Sequence, residues 1–336
     1  MTTEATGPET GTPGSVHSTP ASRPDLPWRA TTRSDSATRS GSAAQPDNTA
    51  RSGSAARPDS AAQFDGGVGL VGAARSDEAG SGSAARDQRA AWPVLLVSMP
   101  FMDARRPSIQ LGLLKAVVES HGFPVRTFHA NLDFAHRVGA ATYRALCQHR
   151  GSMVGDWLFS LAAFGPAAPD PAGQLLEECT DELPDLGIPA PEVRRRLLRM
   201  RQHDVPAYLD ALVESVPWAE VRVVAFSSTF QQNAASFALA ARLKRRHPHL
   251  LMVFGGANFD DEMGPELVRS VECIDVAVIG EGDDALPRLL SALAAGDDIG
   301  AIPGVACRQG GRVTVTPPAP PRRKPHRHAR SGRTGR

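Results

Sequence analysis

Closely spaced thiols are missing from this chain: its four cysteines stand at positions 147, 179, 273 and 307 of 336, with no CxxC or CxxxCxxC among them. The sequence therefore offers neither a zinc nor an iron–sulfur site, and isolated cysteines of this kind are expected as small core residues of a cytoplasmic chain. Charge of one sign is lacking too. The net charge is +1 with signs interspersed, which gives no general attraction to nucleic acid or to a membrane surface. No apolar run reaches the length of a bilayer span, and the N-terminus has no charged start followed by an apolar stretch, so it does not read as a secretory signal. Two phosphate-binding fingerprints are absent. No GxGxxG follows the first apolar run, which argues against NAD or FAD, and no GxxxxGK[ST] is present, which argues against a P-loop.

Large apolar side chains are scarce over residues 1–90, where Ala, Gly, Ser, Thr, Pro, Asp and Arg dominate. Such a stretch cannot bury enough surface to offset the entropy of ordering it, so it is expected to be disordered. A loose repeat, Arg39 to Asp47 and again Arg51 to Asp59, has no apolar positions to stack and is no solenoid. Residues 316–336 are rich in Pro, Arg, His and Gly and read as a solvated basic tail, with no aromatic residue interleaved for base stacking.

Between these tails, residues 91–315 alternate in pattern. Val94 to Pro100 is a short Val- and Leu-rich run suited to a strand buried on both faces. Pro107 opens a helix with Ile109, Leu113, Val117 and Val118 on one face, stopped at Gly122, and Pro124 to Ala130 is a second strand. Residues 131–217 turn helical, with aromatics at Phe134, Tyr143, Trp157, Phe159 and Phe164, and form an insertion too long for an ordinary connection. Strands then recur at Val221–Thr229, Leu250–Gly256 and Val276–Gly280, separated by helices at Asn233–Arg246, Met263–Val271 and Asp284–Ala295. Ile302–Val315 closes as a hairpin around Gln309 to Gly311. The expected fold is a doubly wound, Rossmann-like or flavodoxin-like α/β domain: a five-stranded parallel sheet with a helical insertion.

Ligands of such sheets bind beyond the carboxyl ends of the strands, where strand order reverses. The candidate binding residues are therefore Ser98 and Pro100, then Ser227, Ser228, Thr229, Phe230 and Gln231, then Gly255, Gly256, Ala257 and Asn258, then Gly280, Glu281 and Gly282. Glycine lets a large ligand approach the backbone, hydroxyls supply hydrogen bonds without bulk, and the helix N-termini that follow can hold an anionic group. Each piece also has a plain structural role open to it. Gly255-Gly256 is ordinary turn chemistry, Ser227 and Thr229 can cap a helix, and Gly280 to Asp283 can be a tight turn with Asp283 as N-cap. His129, Asp133 and His136 fit no zinc spacing, and no metal site is assigned.

Several segments together resemble one family. Leu95 to Pro100, Arg106-Pro-Ser-Ile109, Leu111 to Lys115, Ser227 to Asn233, Phe254 to Asn258, Glu262-Met-Gly264 and Gly280 to Asp283 are similar to the start of radical S-adenosylmethionine (SAM) proteins that mature ribosomally synthesised peptides. In that family this region is a cobalamin-binding domain, followed by a radical SAM core that methylates unactivated carbons of a precursor peptide. The resemblance implies that Ser227 and Thr229 hydrogen-bond the cobalamin nucleotide tail, that Gly255 and Gly256 let the tail lie against the fourth strand, and that Gly280 and Gly282 shape the rim beside the corrin. It also implies that Trp157 and Phe159 pack near the corrin or a neighbouring domain. Two departures stand out. There is no DxHxxG to ligate cobalt from below, as is usual for cobalamin-dependent radical SAM proteins. The CxxxCxxC that holds the family's [4Fe–4S] cluster and its SAM is also missing. The resemblance thus implies a cobalamin-binding half cut short of its catalytic core, inactive by itself, with a precursor peptide or a separate radical SAM core as partner. Two other readings stay open: a freestanding module that binds or senses cobalamin, and a flavodoxin-like domain for a flavin or nucleotide.

Overall fold

Strand β1 (Val94–Ser98) is buried at every position, as a central parallel strand must be. The computed structural model describes residues 76–148, 151, 153–178 and 188–318. The chain divides into residues 1–68 and residues 69–336, and the account below concerns the second unit. The expectations of disorder at residues 1–75 and 319–336, and the reading of Cys179, lie outside the described residues.

A helix, α1 (Ser76–Ala90), precedes β1; α2 (Ile109–Ser120) follows it and leads to β2 (Val125–His129). The insertion comprises α3 (Ala130–Val138), α4 (Ala140–Gln148), α5 (Val154–Phe164), α6 (Leu175–Glu178), α7 (Ala190–Arg199) and α8 (Val205–Ser215). The alternation then resumes with β3 (Val223–Ser227), α9 (Asn233–Arg246), β4 (Leu251–Gly255), α10 (Met263–Ser270), β5 (Val276–Val278) and α11 (Gly282–Ala295), before the hairpin β6 (Val305–Gln309) and β7 (Arg312–Thr316).

The sheet order is β2-β1-β3-β4-β5-β6-β7. Five strands are parallel in the flavodoxin-like order, and β1 pairs with both β2 and β3, so strand order reverses between β1 and β3. The expected five-stranded sheet is corrected to seven. The hairpin does form, but β6 pairs antiparallel with β5 and extends the same sheet, because a strand as short as Val276–Val278 leaves backbone groups that a neighbour must satisfy. Helix α1 lies within the stretch whose composition is poor in large apolar side chains, and its Arg89 guanidinium lies 5.9 Å from the Phe123 ring centroid.

Side-chain alternation divides the strands between two cores. Leu95, Val97, Val224, Phe226, Met252 and Phe254 face the larger one, beneath the insertion, α9 and α10. Leu96, Val223, Ala225, Val253, Val276 and Val278 face the smaller one, beneath α2 and α11. On α2 the inward positions are Leu111 and Val118. Ile109 and Leu113, expected on the inner face, are 80% and 54% exposed because the helix is rotated to place them beside the carboxyl edge of the sheet.

The insertion is built on aromatic contacts. Phe134 meets Tyr208 at 4.8 Å, Phe101 stacks on Tyr143 at 5.3 Å, and the Tyr143 and Tyr208 hydroxyls donate to Met102 O and Ala130 O. Arg201, only 1% exposed within a π-helical turn at Met200–Asp204, lies 4.2 Å from the Trp157 ring centroid and donates to the Pro169 and Asp170 carbonyls. Asp156 of α5 reaches across to accept a hydrogen bond from Ala234 N in the first turn of α9, at 2.8 Å. Burial pushes its carboxyl up to about 6 from an ordinary 3.8.

Between those two pH values the folded chain holds a proton that the unfolded chain releases, so stability falls as pH rises through the window and levels off above it. Asp156→Asn keeps the acceptor and removes the ionisation. Urea unfolding should show this variant without the downward slope, and more stable above the window by about 2 kcal/mol after the lost attraction to the helix terminus. An unaltered pH profile in the variant would count against the assignment.

Candidate functional site

At the reversal point the loops after β1 and β3 diverge, and α2 and α11 stand over the strand ends on the smaller-core face. Between them opens a cleft of about 280 Å³. Its walls are Leu96, Leu111, Leu113, Leu114, Ala225, Val253, Val278 and Leu286, and its polar groups are Ser227, Gln110 and the carboxylates Asp260, Glu281 and Asp283. Gly255, Gly256, Gly280 and Gly282 bring bare backbone to the same surface.

The structure divides the sequence-derived candidates into two groups. Ser227, Gly255, Gly256, Ala257, Gly280, Glu281 and Gly282 line the cleft together. Ser98, Pro100, Ser228, Thr229, Phe230, Gln231 and Asn258 do not. Most of these instead hold the loops that frame it. Ser228 Oγ donates to Asn233 Oδ1 at 2.7 Å, and Asn258 Nδ2 donates to Ser228 Oγ and to Phe230 O. Gln231 Oε1 accepts from Gly155 N at 2.6 Å, tying the loop to α5. Thr229 donates from its backbone and its hydroxyl to Gln232 Oε1, and the Gln232 amide reaches Ser98 Oγ and Met99 O. Ser98 and Pro100 are buried. Phe230 is 57% exposed at a backbone φ of +50°, outside the cleft, its carbonyl held by Asn258.

The glycines differ in what they do. A Cβ on Gly256, whose φ is +99°, would stand 2.6 Å from Ser228 O, so this glycine is required by the chain's own backbone rather than by a ligand. A Cβ on Gly255 would meet Val278 at an ordinary 3.5 Å. Gly280 is open to solvent, and its N–H donates to Asp260 Oδ1 at 3.0 Å, which joins the loops after β4 and β5 across the rim.

Sequence reasoning gave no contact role to the leucines of α2 and α11 or to Asp260 and Asp283. The signal was available in the Leu111 to Leu114 run, which carries more apolar residues than one helix face can bury. Trp157 and Phe159, expected near a corrin or a neighbouring domain, are instead 5% and 0% exposed inside the larger core, with Trp157 Nε1 donating to Asp170. They are consumed by packing under the aromatic insertion. His129 ends β2, with burial drawing its pKa down, and Asp133 pairs with Arg137 at 3.2 Å. Among the described residues no three His, Cys, Asp or Glu side chains gather as a metal site. Cys273 and Cys307 are buried, and burial pushes the Cys273 thiol up to about 12, as for inert core thiols. Among the described residues no helix is long and apolar enough to cross a membrane.

No family model matches the chain. Parts of it are similar to three methyltransferases. An uncharacterized methyltransferase, PH0819, of Pyrococcus horikoshii is 27% identical over 129 residues, covering 35% of this chain and 28% of the relative. The 2-(S-pantetheinyl)-carbapenam-3-carboxylate methyltransferase of Streptantibioticus cattleyicolor is 35% identical over 106 residues, 31% of this chain and 15% of the relative. The cobalamin-dependent radical SAM methyltransferase TokK of Streptomyces tokunonensis is 32% identical over 117 residues, 34% and 17% of the two chains. The chain spans less than a third of the length of these curated relatives. Among solved structures, the radical SAM methyltransferase TsrM of Kitasatospora setae, with cobalamin and a [4Fe–4S] cluster bound, is 17% identical and covers 68% of this chain and 29% of that one. Its TM-score of 0.36 is too low to bear on fold or function. The sequence similarity is thus to methyltransferases, one of them a cobalamin-dependent radical SAM enzyme, and it is partial and distant.

The two adjacent glycines should separate experimentally. Gly256→Ala combines a left-handed backbone with a close approach to Ser228 O and should cost about 2–4 kcal/mol in chemical denaturation, whereas Gly255→Ala should cost under about 1 kcal/mol. Equal losses at both positions would contradict the cradle geometry.

Proposed function

We propose that this chain is the cobalamin-binding part of a cobalamin-dependent radical SAM methyltransferase that acts on a ribosomally synthesised peptide. The observation that carries the reading is the cleft at the β1/β3 reversal, apolar-walled and floored by bare glycine backbone, in a chain partly similar to TokK. The residues present fit the flat, apolar benzimidazole base of cobalamin's nucleotide tail. Leu111 and Leu114 of α2 would face Leu286 of α11 across it, Ser227 would supply a hydroxyl, and the backbone at Gly255 and Gly280 leaves room for close approach. No histidine, cysteine or methionine is among the residues that line the cleft.

When bound, cobalamin would supply the methyl-transfer chemistry. The part played by this chain's own residues is to hold and orient that cofactor. Apolar walls exclude water from the tail, and the Gln232 and Asn258 networks fix the loops on which its edge rests. The exposed side chains of Ile109 and Leu113 beside the cleft would pack against what stands above the sheet edge. These 336 residues contain no CxxxCxxC, so the [4Fe–4S] cluster, SAM and the peptide substrate would be handled by polypeptide other than this.

Titration of the chain with hydroxocobalamin, followed by visible absorbance, tests the reading. Saturable binding is expected, weakened by at least about tenfold (~1.4 kcal/mol) in Ala257→Trp, which places an indole in the cleft mouth at an exposed position. A folded chain that leaves the corrin spectrum unchanged at all concentrations would defeat the proposal.

A further inference from the structure

The cleft is polar at its mouth and apolar inside. Its interior is formed by Leu96, Leu111, Ala225, Val253, Val278 and Leu286, each at most 7% exposed and each shared with the smaller core. The polar side chains that line it, those of Ser227, Gln110, Asp260, Glu281 and Asp283, are half-buried or exposed. The central strands offer the interior no partner either. Ala225 pairs with Leu96 on one side and Val253 on the other, and Val253 also pairs with Val276, so their peptide groups are spent in the ladder. An amine or a ring nitrogen carried to this depth would lose its water and find little to replace it.

The shape of the space is set by two helices. Leu114 of α2 and Leu286 of α11 both line it. A Cβ added to Gly282, in the first turn of α11, would lie 3.3 Å from Leu114 Cδ2, which shows how close the helices stand at that point. A narrow gap between leucines suits a flat group whose inner edge is hydrocarbon.

We infer that this interior selects the base of the nucleotide tail: it takes 5,6-dimethylbenzimidazole and rejects adenine, with Leu114, Val253 and Leu286 as the specificity-determining residues. The inference rests on the cobalamin reading and deepens it, because corrinoids that share one macrocycle differ in this base. The six-membered ring of dimethylbenzimidazole carries only C–H groups and two methyls. The corresponding ring of adenine carries ring nitrogens and an exocyclic amine. Methyl groups gain by leaving water for the leucine walls, whereas the amine and nitrogens give up hydrogen bonds that the walls cannot return.

The test is calorimetric titration of the full chain with three corrinoids that differ only in the base: dimethylbenzimidazole, unsubstituted benzimidazole and adenine. Each is used in its dicyano form, where the base is already released from cobalt, so that differences in affinity report on the base alone. The wild-type chain should bind the dimethylbenzimidazole form about fivefold more tightly than the benzimidazole form and about fiftyfold more tightly than the adenine form. In Leu114→Gln the new side-chain amide can pair with the adenine ring, and the preference over adenine should fall below about tenfold. Leu114 is half-buried on a helix, where glutamine is well tolerated, so the fold is retained. Leu114→Met changes shape without adding a strong hydrogen-bonding group and should keep dimethylbenzimidazole ahead of adenine. Equal affinities for the three corrinoids in the wild-type chain, an unchanged preference in Leu114→Gln, or its loss in Leu114→Met overturns the inference and leaves cobalamin binding standing. No saturable heat with any of the three, together with an unchanged hydroxocobalamin spectrum, overturns the cobalamin reading and this inference with it.

Discussion

The side-chain amide of Gln232 sits 2% exposed where the sheet changes direction. Its oxygen accepts from the Thr229 backbone and hydroxyl, and its nitrogen donates to Met99 O. A parallel sheet that reverses its strand order must send the chain out from β1 and from β3 in opposite directions. The backbone groups at that parting lose their ladder partners. One glutamine satisfies groups from both departing segments. Buried polar groups left unpaired there would cost about 1–3 kcal/mol each, so the crevice exists only because this amide and its neighbours Ser228, Asn233 and Asn258 are fully engaged. The ligand cleft is a by-product of that arrangement, because the same parting leaves room above the strand ends.

The strands were readable in the sequence because a parallel strand covered on both faces is a continuous apolar run, and Val94 to Ser98, Val223 to Ser227 and Leu251 to Gly255 are such runs. Helix α9 was readable to its ends, Asn233 and Arg246. Other features depend on partners that no local pattern reveals. That the hairpin joins the sheet depends on the shortness of β5, and the rotation of α2 that exposes Ile109 and Leu113 depends on where α11 packs. Helix α1 is nearly without large apolar side chains, and its place beside Phe123 could not be read from its composition.

The candidate site was legible as a location more than as a set of contacts. Strand-end logic found Ser227, Gly255, Gly280 and Glu281 because topology alone puts them at the crevice. It could not separate a hydroxyl facing the cleft from one spent on the scaffold. Ser227 and Ser228 are adjacent, yet alternation along the strand sends one toward the cleft and the other into the Asn233 and Asn258 network. The apolar walls escaped notice because a leucine beneath a helix and a leucine beside a cavity have the same sequence signature. Here the difference is set by the gap between α2 and α11.

The terminal hairpin has a consequence for where the sheet stops. Strand β5 carries one wall of the cleft and is only three residues long. Left as the outermost strand, it would present open backbone to any passing extended chain and would fray with little to hold it. With β6 paired to it through Val276, Ala277 and Val278, and Ile279 N bonded to Gly304 O, it becomes an interior strand anchored from both sides. The free margins of the sheet then fall on β2 and β7, so the surface most open to unwanted strand addition is kept away from the surface that must stay open to a ligand.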